Sequence, residues 1–84
     1  MAVVERWSAK MADGQEFQIS LTYTGMEGFG YVIYNVVDNK PCIRSTQTGR
    51  GSDFSALARA QLELGENIGR SVVISMTKLP RGAL

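Results

Sequence analysis

Few side chains in this sequence are equipped for chemistry. The chain has no histidine and a single cysteine, Cys42. Without histidine there is no imidazole base titrating near neutral pH, no His-paired nucleophile and no zinc site of the usual kind. Cys42 lacks the second thiol that a disulfide, a redox pair or a zinc ribbon requires. As a nucleophile it would depend on a nearby cation, with Lys40 and Arg44 closest in sequence. A small apolar filler near a strand start is the better reading of it. The eight carboxylates are scattered over turns and polar faces. No two stand together as an acid–base pair or a calcium loop would require. The expectation is no catalytic residue, no metal and no cofactor.

Binding residues are easier to nominate. Gly49, Gly51 and Ser52 precede a helical stretch, where backbone amides can approach a phosphate. The Gly-Lys-Ser/Thr of a P-loop is absent, and Asp53 would repel an anion there, so a flexible connection is favoured. Phe29, Tyr31 and Tyr34 invite comparison with an RNA-stacking sheet, but residues 26–39 contain no basic residue to accompany them. Nine basic residues against eight acidic ones leave a net charge of +1. That is a poor electrostatic match to a nucleic-acid backbone.

The elements that position these residues follow from turn signals and periodicity. Asp13-Gly14, Gly25–Gly28 and Asp38–Pro41 are turn sequences, and residues 49–52 are loop-like. Residues 3–11 alternate, placing Val3, Glu5, Trp7, Ala9 and Met11 on one face. Residues 16–24 alternate more cleanly, with Phe17, Ile19, Leu21 and Tyr23 opposite Gln18, Ser20, Thr22 and Thr24. Residues 29–37 are apolar on both faces, and residues 42–48 read as a polar edge strand. Residues 53–65 change to helical spacing through Phe54, Leu57, Ala58, Gln61 and Leu64, with Gly65 as the expected stop and Asn67 or Gly69 as later ones. Residues 71–79 return to strand, with Val72, Ile74 and Met76 on one face.

The predicted fold class is therefore α+β: one domain over residues 1–84, ordered β-β-β-β-α-β, an antiparallel meander with one helix on one face. The helix is expected to cover Trp7, Ile19, Leu21, Ile33 and Ile74. The last strand can lie beside the first, antiparallel, or beside the fourth, parallel through a right-handed crossover. No long apolar run suits a membrane span, and the N-terminus lacks the features of a signal peptide, so the cytoplasm is the expected location.

The stretch Gly49-Arg50-Gly51-Ser52-Asp53-Phe54, leading into the alanine-rich helix through Leu64, resembles small phage- and plasmid-encoded anti-CRISPR proteins. The resemblance implies a stoichiometric inhibitor that binds a host protein complex and performs no chemistry. It brings no family site residues with it. On the residues' own account, Val32, Tyr34 and Val36 should emerge away from the helix as an apolar partner-binding patch, with Arg44 and Arg50 as its charged rim. A homodimer could bury the same patch. The alternatives are a nucleic-acid-binding domain using Arg6, Lys10, Arg44 and Arg50, and a small dimeric accessory subunit of an enzyme.

Overall fold

A computed structural model describes residues 2–23, 25, 28–37, 41–45 and 53–80, without the side chains of residues 2, 43–45 and 53–55. The strands are β1 (Ala2–Met11), β2 (Glu16–Tyr23), β3 (Phe29–Asn35), β4 (Pro41–Ser45) and β5 (Val73–Lys78). Between β4 and β5 lies the helix α1 (Asp53–Glu63), continued by a π-helical turn over Leu64–Ile68. The sheet runs β4-β3-β2-β1-β5, and every neighbouring pair is antiparallel. The fold is α+β, and β5 takes the antiparallel place beside β1.

Alternation in β2 and β3 decides the core. Ile19 pairs with Ile33 and Leu21 with Tyr31, and all four project under the helix. The helix packs across these two strands. Ala56, Ala60 and Leu64 are fully buried beneath it, with Leu57 partly so. The inward stripe is thus rotated from the expected one, since Ala58 and Gln61 face solvent. Alanines at 56 and 60 have no side chain beyond Cβ, which allows the helix to sit close to the sheet. Trp7 packs against the same core from its margin and stays partly exposed. Its indole N–H donates to Glu5 Oε2 at 3.0 Å.

Three bulges alter which residues face inward. In β1, Val3 pairs with Thr22 and Glu5 with Leu21, leaving Val4 as the extra residue. Val4 then packs on the core, while Val3, expected inward, is exposed. In β5, Lys10 pairs with Ser75 and Met11 with Val73, so Ile74 is the extra residue. Ile74 was expected under the helix and is instead 64% exposed, with Val73 turned inward in its place. Val72, expected on the same face, is exposed too. Cys42 is the extra residue in β4 and is exposed rather than a filler. An inserted residue shifts the two-residue period by one, which flips every side chain beyond it.

The helix runs past Gly65 to Gly69, whose N–H donates to Leu64 O at 2.8 Å. Gly69 is buried, and a Cβ there would stand 2.7 Å from Met11 Cε and 3.2 Å from Leu64 O. Close packing therefore requires glycine at this joint. Gln15 ties the joint to the β1–β2 turn. Its Nε2 donates to Gly69 O at 2.9 Å and to Asp13 Oδ2 at 2.6 Å. Arg70 follows at φ 52° and turns the chain toward β5.

Candidate functional site

The expected patch is divided by the structure. Val32 is only 3% exposed, so it forms no part of an open surface. It occupies an interior strand, in register with Ser20 on one side and Arg44 on the other. Ser20 and Thr22 on the same face are buried as well. Of the residues that alternation marked as wet, these two are closed to solvent, Gln18 is half-buried and Thr24 lies outside the described residues. Arg6 Nε and Thr22 Oγ1 are buried there with no hydrogen-bond partner among the described residues. Tyr34 is half-buried, and Val36 is 48% exposed. The side chain of Arg44, and all of Arg50, lie outside the described residues.

What remains of the patch continues into a residue that alternation did not single out. Val37 is 95% exposed beside Val36. Both are held by backbone bonds. The Val36 N–H donates to Glu16 O at 3.3 Å, and the Val37 N–H to Asn35 Oδ1 at 2.8 Å. The Asn35 side chain thus builds an Asx-type turn that holds the Val37 backbone in place. A groove of about 200 Å³ runs from this tip to the β1–β2 turn, lined by Gly14, Gln15, Glu16 and Asn35. The result is an apolar tip with a polar rim, the arrangement of a protein contact surface. Its signal in the sequence was the pair Val36-Val37 directly ahead of a turn, where polar residues are usual.

A second groove lies on the helix side of the sheet. A groove of about 430 Å³ separates α1 from the start of β5, lined by Ala58, Gln61, Leu62, Glu66, Val72 and Val73 among others. Of its lining residues, Leu62 and Val72 are more than half exposed. Among the described residues no group of three or more metal-ligating side chains occurs, and no helix is long and apolar enough to cross a membrane.

Of the four basic residues nominated for a nucleic-acid surface, Arg6 and Lys10 have described side chains. Lys10 Nζ stands 4.0 Å from Glu16 Oε1 across the β1–β2 pair, and Arg6 has its Nε buried. Comparison of the chain with family models, with curated proteins and with solved structures found no match.

Proposed function

We propose that this domain is a small non-enzymatic protein-binding module, an inhibitor that acts by occupying a surface of a host protein complex. The observation that carries this reading is the Val36–Val37 tip. Two adjacent exposed apolar residues have their backbone amides hydrogen-bonded, one to the Glu16 carbonyl and one to the Asn35 side chain, and are framed by polar groups. A backbone already tied in this way has less entropy to lose on docking. Tyr34, half-buried near the end of β3 just before the tip, extends the contact with an aromatic ring and one hydroxyl. The resemblance at residues 49–64 supplies the biological setting, a protein of a phage or mobile element working in a host cytoplasm. The absence of histidine supports association over chemistry.

The test is capture from a host lysate, treated with nuclease and identified by mass spectrometry, with the native chain and Val37→Asp compared. The expected outcome is a protein complex held by the native chain and lost with Val37→Asp, at unchanged melting temperature. Capture that disappears with nuclease, or that falls steeply with salt, would replace this reading with nucleic-acid binding.

A further inference from the structure

We infer that the face of the sheet turned away from the helix holds a binding site for a tetrahedral oxyanion of the phosphate class, built from Arg6, Ser20 and Thr22. The site lies away from the Val36–Val37 tip and does not rest on the protein-binding reading.

The bulge at Val4 sets up this site. Val4 and Glu5 both turn to the helix side, so Val3 and Arg6, on either side of them, share the opposite face. Arg6 stands directly opposite Ser20, and Val3 opposite Thr22. Ser20 and Thr22 are successive residues of β2 on that face, about 7 Å apart at about 3.4 Å per residue. An oxyanion set between two hydroxyls at that spacing can accept a hydrogen bond from each. The diagonal from Arg6 to Thr22 is within the reach of an arginine. Gly30, opposite Thr22 on β3, presents no side chain to this face. Glycine within a strand suits the close approach of a ligand. Val3 is 42% exposed, so solvent reaches this face along β1.

Two unmet groups point to a ligand. Thr22 is 1% exposed, yet its Oγ1 has no hydrogen-bond partner among the described residues, and neither has the buried Nε of Arg6. Buried polar groups are nearly always paired, so two orphans on one face call for a common partner. Charge separates an anion from a water molecule in that role. No carboxylate among the described residues forms an ion pair with Arg6. Glu5, its neighbour in sequence, faces the helix side. There its Oε2 accepts from the Trp7 indole and its Oε1 stands 3.4 Å from Lys78 Nζ. Glu16 shares the face of Arg6 but sits at the start of β2, 4.0 Å from Lys10 Nζ. A water would fill the hydrogen bonds and leave the guanidinium without a counter-charge, whereas an oxyanion supplies both. The Nε edge of a guanidinium offers two parallel N–H groups, and the hydroxyls donate from another direction. Donors spread over more than one plane suit a tetrahedral anion better than a flat carboxylate.

Thermal melting with inorganic phosphate tests this, at constant ionic strength made up with chloride. One guanidinium and two hydroxyls should give a dissociation constant of about 1 mM. A tenfold excess over that should raise the melting temperature by about 5–10 °C. Sulfate should act like phosphate, and acetate should not. Thr22→Val keeps the shape and removes the orphaned hydroxyl. It should melt no lower than the native chain without phosphate, and bind phosphate about tenfold more weakly. Arg6→Met keeps the aliphatic stem and should lose the response. Arg6→Lys retains the charge without the planar fork and should keep only part of it. No rise with phosphate beyond that with chloride overturns the proposal. An equal rise in the native chain and in Arg6→Met is a general salt effect and overturns it too. An equal rise with acetate overturns the choice of a tetrahedral anion. Should Arg6→Met fail to fold, Thr22→Val decides: an unchanged phosphate response there removes the site.

Discussion

The middle of the sheet and its β5 edge hold the same kinds of side chain under opposite conditions. Ile33 in β3 is fully buried, with the helix on its face and a strand on either side. Ile74 in β5 has, among the described residues, a strand on one side only and is 64% exposed. Both are β-branched residues suited to strands, so propensity does not separate them. Position does. The helix spans β2 and β3 and stops short of β5, so apolar area is withdrawn from water at the centre and left in it at the edge. The centre is where the fold obtains its stability, and the edge is where apolar surface is left in water.

The largest expected effect is at the centre. Ile33→Ala removes buried methyl groups between Ile19 and the helix and should cost about 2–5 kcal/mol, read as a lower urea midpoint with an unchanged slope. A loss below about 1 kcal/mol would mean that the centre is no better packed than the edge.

A smaller effect is expected at the joint that divides the two regions. Gly69 closes the π-helical turn against Met11 and Phe17. Gly69→Ala places a Cβ 2.7 Å from Met11 Cε, the movable end of a flexible side chain, and 3.2 Å from the Leu64 carbonyl, which cannot move freely. The expected cost is about 1–3 kcal/mol by the same urea measurement. A neutral result would show that the helix end can shift, and that the boundary between covered centre and open edge is soft.

The centre was legible in the sequence because two strands there keep a strict period of two. Phe17, Ile19 and Leu21 alternate without interruption, and Tyr31 and Ile33 match them across the pair. The edge was not, because an extra residue leaves no mark in a run such as Val72-Val73-Ile74. Three β-branched apolar residues in a row fit either register, and the bulge that selects one depends on the pairing with Met11. The same limit applied at Val4 in β1, flanked by Val3. For the candidate patch, alternation anticipated the exposure of Val36 and in part that of Tyr34, which is half-buried, whereas Val32 was misjudged. Its exposure depended on what covers the second face of β3, which periodicity within one strand does not report. Val37 lay beyond the strand, where alternation has no meaning. The helix stripe was displaced for a related reason: alanines at 56, 58 and 60 are interchangeable by hydropathy, and only docking on β2 and β3 chooses 56 and 60.

The smallest expected effect is also the sharpest form of the comparison. Ile74→Ala makes the same chemical change as Ile33→Ala, on a residue of the same type, in a strand of the same sheet. Ile74 is the extra residue of a bulge, so its side chain is not counted on by the β1–β5 register, which runs through Ser75 and Val73 on either side of it. The side chain is mostly in water already, so little apolar area is lost when it is shortened. Alanine is the weaker strand former, which opposes the substitution slightly. Together these place the change within about 0.5 kcal/mol of the native chain at protein concentrations where it is monomeric. The measurement is urea unfolding of both variants at low protein concentration. Ile33→Ala should be destabilised and Ile74→Ala should not. A loss from Ile74→Ala comparable with that from Ile33→Ala, at low concentration, would place Ile74 in the core and remove the distinction between centre and edge.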